Sequence, residues 1–166
     1  MKIKLLTESH DENIYYWNGI DKVPKDAVNV VIDKNVGPQI KQLAFENCTD
    51  LKYVSIPEGV STLNYGVFFG CTSLEDVEIP STLDELRGDV FYKCTSLRSL
   101  KLPYMELIGK GSFENCTSLE SLEVDFVVSV GKDAFKNCSP SLTIYTNGND
   151  DFIKYCKRNK INCIEL

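Results

Sequence analysis

Five cysteines recur at nearly constant spacing along this chain: Cys48, Cys71, Cys94, Cys116 and Cys138, at intervals of 23, 23, 22 and 22 residues. A fixed period in the range of roughly 20–50 residues marks a stack of supersecondary units, each too small to bury its own apolar side. Other columns keep the same phase. Phe45, Phe68, Phe91, Phe113 and Phe135 stand three residues before each cysteine, and Leu51, Leu74, Leu97 and Leu119 three after. Val54, Val77, Leu100 and Leu122 follow at six, and Ile56, Ile79, Leu102 and Val124 at eight. Pro57, Pro80 and Pro103 come next, and Asp125 breaks that column. Ile40, Leu63, Leu86, Ile108 and Val130 stand eight residues before each cysteine.

The stretch from each cysteine to the last apolar residue keeps its length, and the one-residue change of period falls in the return path. A strand paired on both sides must keep register, because a one-residue slip turns its core face outward; a return path absorbs a deletion. Alternation in Leu-x-x-Val/Leu-x-Ile/Leu marks a strand with one buried face, and the following proline ends its ladder. Stacked strands lie about 4.8 Å apart.

The segments Ala44-Phe45-Glu46-Asn47-Cys48-Thr49 and Phe68-Phe69-Gly70-Cys71-Thr72-Ser73-Leu74, with their equivalents at 91–97, 113–119 and 134–138, resemble the BspA-like class of leucine-rich repeats. The likeness covers roughly residues 28–166. It implies an α/β repeat solenoid: a right-handed superhelix with a parallel β-sheet on its concave face, irregular and partly helical returns, and about five to six rungs. It also implies a curved surface for contacting other macromolecules, and it carries no catalytic residue.

The ends depart from the pattern. Val28–Ile32 fits the strand column, with Val30 and Ile32 inward, but lacks a preceding Phe and Cys. Ile14-Tyr15-Tyr16-Trp17 and Ile20 form an aromatic cluster upstream. Residues 1–27 are therefore expected to be an N-terminal cap with a short hairpin, a ligand-binding aromatic cage being the less favoured reading. Repeats are expected over 28–146. Leu142 and Ile144 are expected to point inward from the last full strand. In 147–166, Asn149 or Asp150 can cap a helix over about 150–159 whose face carries Phe152, Tyr155 and Cys156, and Ile161 and Cys163 suggest a closing strand. The family's C-terminal cap has the same form.

Chemical readings of these columns are weak beside structural ones. One thiol per repeat favours a buried, reduced ladder over disulfides, which would leave an odd cysteine, and over zinc, whose ligands must converge on a point. The exposure of Cys156 and Cys163 is left open. Reduced thiols suit a cytoplasmic protein. The first residues turn polar after Leu6, too early for a signal peptide, and no stretch reaches the roughly 18–20 apolar residues that span a bilayer. A surface or secreted location is the alternative if a leader was removed. The sequons at Asn47, Asn115 and Asn137 read as by-products of the repeat. The carboxylates Glu75, Asp76, Glu78, Glu120, Glu123 and Asp125 fall on the polar side of strands, where solvated charge is the ordinary role. A single histidine, His10, leaves little room for a nucleophilic dyad. Lys plus Arg is 18 and Asp plus Glu is 24, a net charge of −6 that disfavours nucleic acid and anionic membranes.

The expected function is therefore a non-enzymatic module that binds a protein partner through the sheet face, with no cofactor, no metal and no catalytic residue. A structural subunit of a larger assembly and a surface adhesin are the alternatives. The outward stripes of the strands supply the candidate contact residues: Tyr53, Asp76, Ser99 and Ser121; Ser55, Glu78, Lys101 and Glu123; and, beyond the strands, Tyr104 and Phe126. Lys101 lies between Glu78 and Glu123 and is expected to be supported by both.

Overall fold

A computed structural model describes residues 13–166; residues 1–12 of the expected N-terminal cap, His10 among them, lie outside the described residues. The chain is a parallel β-solenoid of about six turns. One side of the coil, here the outer face, carries β1 (Ile14–Trp17), β2 (Asn29–Ile32), β4 (Tyr53–Ser55), β6 (Asp76–Glu78), β8 (Ser99–Leu102), β10 (Ser121–Val124), β12 (Thr143–Thr146) and β13 (Asn162–Glu165). The returns hold β3 (Gln39–Ile40), β5 (Thr62–Leu63), β7 (Glu85–Leu86), β9 (Met105–Ile108) and β11 (Val127–Val130). These pair into a second, five-stranded parallel sheet in the order β11-β9-β7-β5-β3.

The returns are thus strands and turns, not the partly helical segments expected. The Phe–Cys stretch forms no helix because each Phe is flanked, two residues to either side, by residues in the left-handed region. In the central rungs these are Gly66 (φ 60°) and Gly70 (φ 71°), then Asp89 (φ 56°) and Lys93 (φ 59°). Their N–H groups leave the rung: Gly66, Phe68 and Gly70 donate to the carbonyls of Gly88, Val90 and Tyr92 at 2.8–2.9 Å. A helix would have needed those donors within the rung. The sequon residues Asn47, Asn115 and Asn137 occupy this left-handed site (φ 53°, 64° and 56°), which asparagine tolerates better than most side chains.

The core is the set of repeat columns. Phe45, Phe68, Phe91 and Phe113 are fully buried and stack face to face at 5.1–5.3 Å; Phe113 and Phe135 continue the column at 5.2 Å. Beside them runs the thiol column, with no disulfide. Each sulfur donates to the carbonyl of the Phe one rung earlier: Cys71 to Phe45 (3.0 Å), Cys94 to Phe68 (3.2 Å), Cys116 to Phe91 (3.0 Å) and Cys138 to Phe113 (3.1 Å).

At the N-terminal end, β1 pairs with β2 in parallel, Tyr15 opposite Val30 and Trp17 opposite Ile32. Among the described residues it is a further rung and forms no hairpin with β2, because residues 18–28 carry the chain back to a parallel start. Trp17 meets the Phe column edge-on, 5.0 Å from Phe45, while Tyr16 and Ile20 face solvent. Val30, Ile32, Leu142 and Ile144 point inward as expected. At the other end α1 (Asp150–Arg158) starts at Asn149, whose side chain accepts the Phe152 N–H at 2.8 Å. Phe152 and Cys156 are buried and Tyr155 packs partly against the core. Burial, then the neighbouring Cys163 thiol, half-buried on β13, pushes Cys156 up to about 12. Among the described residues no helix is long and apolar enough to cross a membrane.

Candidate functional site: a seam in the outer sheet

The outer face is two sheets. β1-β2-β4-β6 form one and β13-β12-β10-β8 the other. At the β2–β4, β4–β6 and β8–β10 junctions a single carbonyl starts the ladder. Val28 accepts from Lys52 and Tyr53, Lys52 from Glu75 and Asp76, and Arg98 from Glu120 and Ser121. The equivalent bonds, from the Arg98 and Ser99 N–H groups to the Glu75 carbonyl, are missing. The rungs stay joined on either side of the gap, through Ser96 Oγ to the Thr72 carbonyl (2.7 Å) and Glu106 N–H to the Asp84 carbonyl (2.8 Å).

The gap falls where the rungs change shape. The rungs through β4 and β6 have 23 residues and turn the corner with a tight bend, Val60 N–H reaching Pro57 and Leu83 N–H reaching Pro80. Their return strands are two residues long. The rungs through β8 and β10 have 22 residues; Pro103-Tyr104 and Asp125-Phe126 lead straight into four-residue strands. At this junction the unequal rungs stay in register along the returns and part at the sheet, whereas the 24- and 23-residue rungs through β2 and β4 stay paired. The core behind the gap is less well covered: Val77 and Leu100 are 5% and 6% exposed against 0% for Val54 and Leu122. Ile79 is only half-buried, while its equivalents Ile56 and Leu102 are buried.

An open cleft of about 770 Å³ lies over this seam. It gathers six of the ten candidate residues: Asp76, Glu78, Ser99, Lys101, Ser121 and Glu123. Glu58 joins them from the corner, its carboxylate held below the usual range chiefly by the Ser81 N–H at 2.9 Å. Lys101 Nζ pairs with Glu123 at 2.5 Å, with both side chains open to water. Glu78 lies across the seam and accepts instead from Ser55 Oγ at 2.9 Å, so the expected three-residue charge row is a pair plus a separate carboxylate.

The other candidates lie apart. Tyr53 is 2% exposed, so it offers no outward ring; burial, then the Glu78 carboxylate, push its phenol well above its ordinary value. Its position in the outward column did not reveal that covering. Tyr104 and Phe126 lie on the corner of the 22-residue rungs, stacked at 5.7 Å and 2°, with Tyr104 44% exposed. The seam itself was not foreseen, although the change of period from 23 to 22 is its signal in the sequence.

Comparison with known proteins agrees with this architecture. A crystal structure of a Treponema pallidum leucine rich repeat protein superposes with a TM-score of 0.65 at 28% identity, over 80% of this chain and 62% of that one. A leucine rich cell surface protein from Faecalibacterium prausnitzii A2-165 gives 0.53 at 24%, over 74% and 39%. The pneumococcal vaccine antigen PcpA gives 0.54 at 14%, over 93% and 42%; these last two likenesses are of fold alone. The chain spans less than two thirds of each of these proteins. No curated protein matches it. The profile of the BspA type leucine rich repeat region matches residues 25–160 in six copies, and the chain belongs to that family.

Proposed function

We propose that this protein is a non-enzymatic interaction module whose outer sheet face, centred on the β6–β8 seam, docks a protein partner. The observation that carries the reading is the cleft over the seam, where polar side chains surround strand edges left without a ladder partner. Tyr104, exposed and stacked on the half-buried Phe126, adds an aromatic anchor of the kind that concentrates binding energy at interfaces. Leucine-rich repeat proteins generally mediate protein interactions, which supports the same reading.

A second reading is display at the cell surface, the location in the name of the Faecalibacterium protein whose fold this chain shares. The ladder of buried thiols does not oppose it, since thiols without access to an oxidant stay reduced in either compartment.

The test is site-specific photocrosslinking in extracts of cells that make the protein. A benzophenone side chain at Ser99, on the sheet face, should trap a discrete partner that the same group at Lys132, in a return turn, does not. Substituting Lys101, Tyr104 and Phe126 together by alanine should abolish that product. A partner trapped equally from both positions, or unaffected by the triple substitution, rejects the sheet face.

A further inference from the structure

The seam leaves particular groups without partners. Where β10 meets β8, the Ser121 N–H donates to the Arg98 carbonyl at 3.2 Å; the equivalent groups at the seam are the Ser99 N–H and the Glu75 carbonyl. By the same register the Val77 carbonyl and the Lys101 N–H face the gap. Backbone groups in a partly dry site gain most from a ligand that satisfies them, because water serves them poorly there. Asp76, Glu78 and Glu123 stand around the mouth, and the one cation in the lining, Lys101, is already paired with Glu123. Arg98 and Glu75 both lie outside the lining, together in a smaller hollow beside it.

The occupant must therefore be cationic, supply N–H donors for the carbonyls and acceptors for the Ser99 and Lys101 N–H groups, and be thin enough to enter a parted ladder. A metal ion fits poorly, since among the described residues no group of three or more His, Cys, Asp or Glu side chains converges. Phosphate-bearing ligands meet the carboxylates with the wrong sign. A guanidinium answers the charge and the carbonyls, and the backbone carbonyls of an extended segment carrying it answer the Ser99 and Lys101 N–H groups. Its planar fork donates to carbonyl and carboxylate oxygens together and is less strongly hydrated than an ammonium.

We propose that the seam is a docking site for an arginine-bearing extended segment of a partner protein, the guanidinium seated between β6 and β8 on the Val77 carbonyl and the Asp76 and Glu78 carboxylates. This rests on the sheet face being the interaction surface.

The probe is a fluorescent decapeptide alternating glycine and arginine, with lysine and glutamate counterparts, titrated into the whole chain by anisotropy. NMR amide shifts locate the site. The arginine peptide should bind with shifts confined to Val77, Ser99 and Lys101 and their neighbours. The lysine peptide and the D76N/E78Q/E123Q variant should each bind about tenfold more weakly, and the glutamate peptide not at all. Equal binding of the arginine and lysine peptides with shifts spread over the surface would show attraction to an acidic chain only and overturn the site. So would unchanged affinity in the triple variant, provided its circular dichroism matches that of the parent. A natural partner that crosslinks at Ser99 yet binds the triple variant normally overturns the arginine site and leaves the interaction face standing; no crosslink at Ser99 removes the face itself.

Discussion

The sulfur of Cys94 donates to the carbonyl oxygen of Phe68, 3.2 Å away in the preceding rung. The same oxygen accepts the Cys71 N–H at 3.1 Å, so one acceptor joins a turn within its rung and a side chain from the next. Both cysteines are fully buried. Replacing Cys94 by alanine removes a weak hydrogen bond and opens a small dry space. Urea denaturation should show a loss of about 2 kcal/mol. A loss below a few tenths would mean that the thiol column fills space without joining rungs.

The stacked rings carry more. Phe91 lies between Phe68 and Phe113, 5.3 Å from each, and is wholly buried. Phe91→Ala should cost about 3–5 kcal/mol, the range for a large core side chain whose cavity cannot collapse. Phe135, at the end of the column and 5% exposed, should cost less. Equal losses in the two variants would argue against a column whose middle is the better packed.

Burial sets the alkaline limit. Desolvation pushes the Cys71 and Cys138 thiols up to about 12 and those of Cys94 and Cys116 well above the ordinary 9.0. In the unfolded chain these thiols lose their protons near 9, while the folded protein keeps them. Stability from this source is complete below pH 9 and falls as pH rises from 9 towards 12, by up to about 1.4 kcal/mol per pH unit for each thiol. Tyr53, raised in the same sense, adds to the fall at higher pH. Urea midpoints taken from about pH 8 to 10.5 should drop steeply above 9, and less steeply in Cys94→Ala. A midpoint that stays level through that interval would contradict the buried, protonated ladder.

What could be read from the chain divides along a physical line. Val54, Cys71 and Phe91 belong to columns whose burial repeats every rung, so periodicity alone places them in the core. The return strands were harder to read, because β5 and β7 are two residues long, too short to show an alternation. Their pairing is imposed by neighbouring rungs and not by local propensity. Tyr53 and Asp76 occupy the same outward position and face each other in the register, yet one is buried and the other exposed. Covering by the surroundings is a tertiary property that a column cannot report. The seam was legible in principle, since a change of 23 to 22 means that two unlike rungs must meet, but spacing does not say which face of the coil parts.

That link between period and seam gives the most discriminating experiment. The Ser99 N–H faces the gap, while the Ser121 N–H in the next rung is bonded to Arg98. Hydrogen exchange by NMR should find the Ser99 and Lys101 amides fast and the Ser121 amide slow. Inserting one glycine between Pro103 and Tyr104 gives the third rung the 23 residues of the two before it. The shape change then falls between β8 and β10, so Ser99 should become protected and Ser121 labile. If the insertion leaves Ser99 fast and Ser121 slow, rung length does not set the gap, and local side chains such as Glu78 and Lys101 must hold it open. If both amides are already slow in the parent chain, the ladder is closed in solution and the cleft has no open floor.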